Sequence, residues 1–81
     1  MNKNEFKKII KLLSKGFILG KIDGLLYSNV CESLIATNLS LVPELEYFAD
    51  FLAQYHSNPE MSELYGNNEL KKKIKEVLKI K

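Results

Sequence analysis

Residues 6–17 read FKKIIKLLSKGF, and apolar side chains recur in this stretch every three or four residues. This spacing places the apolar residues on one face of an α-helix and most of the lysines on the other. We expect Asn2 or Asn4 to cap the start of this helix and Gly20 to end it. Its predicted inner face consists of Phe6, Ile9, Ile10, Leu13 and Phe17.

A second and a third helix are predicted by the same periodicity. Asp23 is a suitable N-cap for the second helix, which we expect to end near Thr37. Pro43 suits the first turn of the third helix, and the residue before Pro59 is disfavoured in a helix and ends it. The predicted inner positions of the second helix are Leu26, Tyr27, Val30, Cys31, Leu34 and Ile35, and those of the third are Leu45, Phe48, Ala49, Leu52 and Tyr55.

Residues 57–67 are predicted to form a longer connection, with one turn of helix at residues 61–65. A last helix is expected to follow Asn68, with inner positions Leu70, Ile74, Val77 and Leu78. No segment is predicted to be a strand. Four amphipathic helices bury their apolar faces most simply against each other, so we predict an all-α fold, an antiparallel four-helix bundle, in which residues 1–81 form a single domain.

Composition places the chain among globular proteins, because 46% of its residues are hydrophobic and 27% are charged. Cys31 is the single cysteine, so no internal disulfide can form, and its place on an apolar helix face predicts a buried structural thiol. No signal-like or membrane-spanning apolar stretch is present. We therefore expect a cytoplasmic protein that does not enter a membrane.

The charges are segregated along the chain. Residues 1–21 and 71–81 each contain six lysines and one glutamate, whereas residues 22–70 contain eight acids and no lysine or arginine. An acidic central segment attracts a strongly basic partner, and proteins that bind nucleic acid are the commonest strongly basic proteins. The lysine-rich ends are interpreted as mainly structural and solubilising.

Catalysis is not expected, because the residues that it needs are not clustered. His56 is the only histidine, it precedes Pro59 closely, and no serine near it has the setting of a nucleophile. The histidine, cysteine and carboxylates are too scattered to predict a metal site, and the glycines form no phosphate-binding loop. We therefore predict a protein that binds a partner, with no catalytic residue, cofactor or metal.

The third helix contains the strongest candidate for a partner-binding surface. Glu46 and Asp50 are four residues apart and therefore adjacent on the helix, where like charges repel by a few tenths of a kcal/mol. Tyr47 and Phe51 have the same spacing and lie beside the predicted inner face. An aromatic pair flanked by carboxylates suits a protein interface better than it suits bulk water.

Several short stretches resemble the colicin D immunity protein family. These are Phe17–Gly24 (FILGKIDG), the acidic and aromatic residues 44–55, Asn58–Glu60 and Asn68–Lys71. The resemblance covers most of the chain as a series of short matches. It implies a small bacterial helical bundle, of a kind also found in contact-dependent growth inhibition systems. Such a protein neutralises a toxin that cleaves transfer RNA by presenting acidic residues to the toxin's basic active-site cleft.

On this hypothesis the protein is an immunity protein, expected to be a monomer when free, whose partner is a basic nuclease toxin. No direct contact with nucleic acid is expected. The acids would replace phosphates in the toxin's cleft and the aromatic residues would supply a buried anchor. The candidate partner-binding residues are Glu44, Glu46, Tyr47, Asp50, Phe51, Glu60, Glu63, Tyr65 and Glu69.

Two other functions remain open on the sequence. A nucleic-acid-binding regulator would use the lysine-rich helices, and its binding would fall steeply with salt. A helical adaptor would hold a partner helix in an apolar groove, and its binding would tolerate reversal of the charges of Glu46 and Asp50.

Overall fold

The computed structural model describes residues 1–57 and 59–79 and, within them, the side chains of residues 1–55 and 68–79. Over these residues the chain forms four α-helices and one 3₁₀ turn, with no strand, so the predicted all-α helical bundle is confirmed. The helices are α1 (Lys3–Ile18), α2 (Gly24–Thr37), α3 (Glu46–Ser57) and α4 (Pro59–Leu78), and the 3₁₀ turn is Pro43–Leu45.

The first two helices begin at the capping residues that the sequence predicts. The side chain of Asn2 accepts a hydrogen bond from the backbone N–H of Glu5 at 2.9 Å. The carboxylate of Asp23 accepts from the backbone N–H groups of Leu25 and Leu26 at 3.1 and 3.3 Å. These bonds satisfy N–H groups that have no partner inside a helix, and they fix where α1 and α2 begin.

All four helices contribute to one hydrophobic core. Helix α2 packs against α1 on one side and against α3 on the other, and α4 contacts both α3 and α1. The first and last helices are therefore neighbours, as an up-and-down bundle requires. The buried apolar residues are Phe6, Ile10, Phe17, Tyr27, Cys31, Ile35, Val42, Leu45, Phe48, Ala49, Leu52, Tyr55, Leu70, Ile74 and Leu78.

Three residues assigned to the core by periodicity lie at the surface, so those predictions were wrong. Ile9 and Val30 are each 38% exposed, and Leu26 is 57% exposed. Ser14 of α1 and Ser28 of α2 are fully buried in the stripes that face the core. The inward stripes of α1 and α2 are therefore rotated away from the positions that their apolar residues alone would give.

The prediction of a longer connection over residues 57–67 was also wrong, because Ser57 ends α3 and α4 is continuous from Pro59 to Leu78. The predicted turn of helix at residues 61–65 lies within α4. Proline is favoured in the first turn of a helix, where its missing N–H has no intrahelical acceptor. Gly66 inside a helix costs only about 1 kcal/mol relative to alanine. Burial of Leu70, Ile74 and Leu78 anchors the second half of α4 and offsets a cost of this size.

Candidate partner-binding surface

The outward face of α3 is set by the residues that α3 and the preceding 3₁₀ turn bury. Leu45, Phe48, Ala49, Leu52 and Tyr55 are all at most 7% exposed, as predicted, and they hold one side of this segment against the core. The helical repeat then turns Glu46, Tyr47 and Asp50 towards solvent. Tyr47 is 85% exposed, the largest exposed fraction of any large apolar side chain among the described residues.

Glu46 and Asp50 are exposed on this face, and neither forms a salt bridge with any other residue that the structure describes. They are four residues apart on α3, so their charges repel each other weakly. The structure thus brings together two acids and one exposed aromatic side chain from the predicted set. We call Glu46, Tyr47 and Asp50 the α3 surface.

Glu44 lies in the 3₁₀ turn, and its charge is already engaged within the chain. Its Oε1 atom is 2.7 Å from the Nζ of Lys3 and 2.9 Å from the Nζ of Lys7, both on α1. The contact with Lys3, followed in size of effect by the contact with Lys7, lowers the pKa of Glu44 to about 2. Glu44 therefore ties the start of α3 to α1 and contributes less free negative charge than the α3 surface does.

Phe51 differs from Tyr47 in how far its side chain is buried. It is half-buried and packs against the core between α3 and α4. The Nζ of Lys73 on α4 lies 5.7 Å from the centre of the Phe51 ring, which is within the range of a cation–π interaction. Of the two predicted aromatic anchors, Tyr47 is thus the one that stands free for a partner.

The remaining candidates lie on α4. Glu69 is exposed there. Glu60, Glu63 and Tyr65 fall among the residues whose side chains lie outside the described part of the structure.

Three lysines from the two lysine-rich ends of the chain line one groove. Lys7 and Lys11 of α1 line it together with Lys79, which follows α4. Leu45, Val77 and Leu78 form its apolar floor, and Glu44 also faces it. Despite that one acid, the groove carries a net positive charge and lies on the α1–α4 side of the molecule.

A buried polar contact joins α1 to α2, and the sequence analysis did not identify it. The hydroxyl of Ser14 donates to the carbonyl of Ile10 at 2.7 Å and lies 2.6 Å from the hydroxyl of Tyr27. Desolvation raises the pKa of Tyr27. Desolvation also raises the pKa of the neighbouring Cys31 thiol to about 11, and the Tyr27 hydroxyl offsets part of this rise. Cys31 is fully buried, so the predicted burial of its thiol is confirmed.

Within the described residues, no three His, Cys, Asp or Glu side chains lie close enough to share a metal ion. No helix, over the part of the chain that the structure covers, combines the length and the apolar character needed to span a bilayer. Comparison of the chain with protein-family models, with curated proteins and with solved structures finds no match in any of the three. The candidate surface therefore has to be interpreted from its own geometry and charge.

Proposed function

We propose that this protein is a binding module that uses the α3 surface to hold a strongly basic protein, and specifically that it is an immunity protein for a basic nuclease toxin. The observation that carries the proposal is Tyr47, which is 85% exposed beside two acids without salt-bridge partners among the described residues. A large exposed aromatic side chain within a charged rim has the composition of an interface hot spot.

The mechanism is blockade of the toxin's active-site cleft. Glu46 and Asp50 face solvent and can pair with lysines and arginines that would otherwise bind phosphate. The ring of Tyr47 supplies apolar area at the centre of the contact. Opposite charges accelerate the encounter of the two proteins, and the rate falls as salt rises.

Nucleic-acid binding is the second candidate, and the groove formed by Lys7, Lys11 and Lys79 favours it. Clustered lysines can neutralise phosphates. However, Glu44 faces the same groove and already engages Lys7 at 2.9 Å, which reduces the charge available to a phosphate backbone. We therefore rank this function below protein binding.

A toxicity rescue tests the proposal. The domain encoded immediately upstream of this gene is expressed in cells with and without the protein, and transfer RNA integrity is followed on gels. We expect the wild type to restore growth and intact RNA, and the Glu46→Lys/Asp50→Lys variant to fail. The matched control is Glu5→Lys/Glu76→Lys, which makes the same change in net charge at exposed acids outside α3.

The outcomes separate the candidate functions. Protection by the control but not by the α3 variant supports the proposed site. Equal protection by both variants would move the site elsewhere on the molecule. If the wild type gives no protection but binds a generic RNA duplex with steep salt dependence, and neutralising Lys7 and Lys11 abolishes that binding, the nucleic-acid function replaces immunity.

A further inference from the structure

Lysines and leucines alternate along the outward side of α1. Phe6, Ile10 and Phe17 turn the opposite side of this helix into the core, so the residues half a turn away from them face solvent. Leu12 is 68% exposed, and Leu19, which caps the end of α1, is 70% exposed. Residues spaced three or four apart share one side of a helix. The residues that alternate in this way form what we call the α1 ridge: Lys8, Leu12, Lys15 and Leu19.

The α1 ridge carries positive charge that is not used within the described part of the chain. One shallow depression is lined by Lys8, Lys11, Leu12 and Lys15. Lys11 also lines the groove that contains Lys7 and Lys79, so the depression and the groove adjoin. Glu44 engages Lys3 and Lys7, whereas none of the three lysines of the depression forms a salt bridge with a described acid. These three charges are therefore open to an anion from outside.

A bilayer that contains anionic lipids offers negative headgroups at its surface and hydrocarbon directly beneath them. Lysines suit the first and exposed leucines suit the second. We propose that the α1 ridge docks on the surface of an anionic lipid bilayer, with Lys8, Lys11 and Lys15 against the headgroup phosphates and with Leu12 and Leu19 at the edge of the acyl chains. Contact of this kind is made from outside the bilayer and needs no spanning helix.

The leucines favour a lipid surface over nucleic acid as the occupant. Surfaces that bind nucleic acid combine basic groups with aromatic rings or guanidinium planes, on which bases stack. The chain contains no arginine, and the aromatic residues of α1, Phe6 and Phe17, are buried. An exposed leucine gains little from a phosphate backbone, but it is stabilised by leaving water for hydrocarbon.

The separation of charge across the bundle orients the docked molecule. Helices α2 and α4 each contact both α1 and α3, which places α1 and α3 diagonally across the bundle. Glu46 and Asp50 of α3 therefore face away from a bilayer that the α1 ridge contacts, and their charges are screened from the anionic headgroups. The α3 surface stays accessible to a protein partner. Bilayer docking is additional to the proposed toxin binding, and neither depends on the other.

Co-sedimentation with lipid vesicles tests the proposal. Purified protein at about 0.1 M salt is mixed with vesicles of phosphatidylcholine alone, or with vesicles of phosphatidylcholine and phosphatidylglycerol in equal amounts. We expect the protein to sediment with the mixed vesicles only, and the binding to weaken strongly at about 1 M salt. A protein that stays in solution with the mixed vesicles, or that binds both kinds equally, overturns the proposal.

A pair of charge variants tests whether the lysines of α1 make the contact. Lys11→Gln/Lys15→Gln should lower the affinity for mixed vesicles by about 25-fold, since each lysine near an anionic surface contributes about fivefold. The matched control is Asn29→Glu/Gln54→Glu, which makes the same change in net charge at exposed positions of α2 and α3. It should lower the affinity by less than about threefold, because these positions are screened from the bilayer. Equal weakening by the two pairs would overturn the docking face.

A pair of leucine variants separates a lipid surface from nucleic acid. Leu12→Gln should lower the affinity for mixed vesicles by about 10-fold, because glutamine does not enter hydrocarbon. Leu25→Gln makes the same change at a leucine of α2 that is 47% exposed, and it should bind like the wild type. Circular dichroism checks that every variant is folded. If the wild type binds a generic RNA duplex more tightly than the mixed vesicles, and Leu12→Gln weakens neither, nucleic acid is the occupant and the lipid proposal is overturned.

Discussion

The hydroxyl oxygens of Ser14 and Tyr27 lie 2.6 Å apart in the interior of the bundle, where both side chains are almost fully buried. The hydroxyl of Ser14 has a single proton, so it can donate to the Ile10 carbonyl and also bond to Tyr27 only when Tyr27 is the donor in this contact. The ring of Tyr27 also stacks on Phe17, with centroids 5.2 Å apart. One residue thus fixes the packing of α2 on α1 by two different interactions.

The Ser14–Tyr27 contact gives a prediction for stability. Ser14→Ala leaves the Tyr27 hydroxyl buried without its acceptor and should lower the free energy of unfolding by about 1–3 kcal/mol. Tyr27→Phe should cost about 1 kcal/mol, because it removes the donor while Ser14 retains its bond to Ile10. Since both variants lose the same contact, the double variant should lose less than the sum. Urea unfolding measures all three; a strictly additive double variant would argue against the coupling.

The ion pairs of Glu44 with Lys3 and Lys7 predict how the stability of the folded protein depends on pH. The folded-state pKa of Glu44 is lowered from 4.5 to about 2, so its ion pairs stabilise the folded protein above pH 4.5. This stabilisation is lost as the pH falls from 4.5 towards 2. Urea midpoints should therefore be higher for the wild type than for Glu44→Gln at pH 6, and the difference should vanish near pH 2. A salt concentration of about 1 M should also reduce the difference at pH 6, because the pairs are exposed.

Gly16 of α1 lies against Ile22, a residue of the link between α1 and α2, and this contact gives a prediction for stability. A Cβ atom at this position would lie 2.8 Å from Cδ1 of Ile22, so the alanine side chain displaces the end of Ile22. Alanine also favours the helix, by up to about 1 kcal/mol. We expect Gly16→Ala alone to change stability by less than about 0.5 kcal/mol, because the two effects offset each other. In an Ile22→Ala background, which removes both Cδ1 and the Cγ1 atom 3.3 Å from the added Cβ, the same substitution should stabilise the protein in thermal unfolding. Destabilisation in both backgrounds would contradict this account.

Alanine substitutions at Tyr47 and Phe51 are expected to distinguish a loss of binding from a loss of stability. Tyr47→Ala should leave the free energy of unfolding within about 0.5 kcal/mol of the wild type, since the side chain is almost fully exposed. Phe51→Ala removes a ring that packs against the core and should cost about 1–3 kcal/mol. In the rescue assay, Tyr47→Ala should protect poorly although it is folded and abundant. A Tyr47→Ala protein that protects fully would remove Tyr47 from the site.

Local rules predicted a large part of the structure. The spacing of Phe48, Leu52 and Tyr55 identified the buried side of α3, and this also determined which way Tyr47 points. Asp23 was predicted as an N-cap because its carboxylate satisfies backbone groups only a few residues away. Such features depend on neighbours within one or two helical turns, and these are visible in the sequence.

Other features depend on residues that are distant in the sequence. The lysines that engage Glu44 lie about forty positions before it, and no local pattern indicates that pairing. In α2, apolar residues occur around most of the helix, so periodicity could not show that Leu26 faces outward while Ser28 is buried. The segment after Pro59 has the composition of a loop, yet it continues into a helix that the buried residues of its second half anchor.

The shortness of the links between helices has a consequence for the rate of folding. Five residues join α1 to α2, and five more separate α2 from the 3₁₀ turn that leads directly into α3. Helical proteins whose contacts are mostly between neighbouring segments fold in microseconds to milliseconds, far faster than the seconds that synthesis of a chain this long takes. A newly made molecule should therefore display Glu46, Tyr47 and Asp50 almost as soon as it leaves the ribosome. Translation, and not folding, is then the slow step before the proposed binding surface becomes available to a partner.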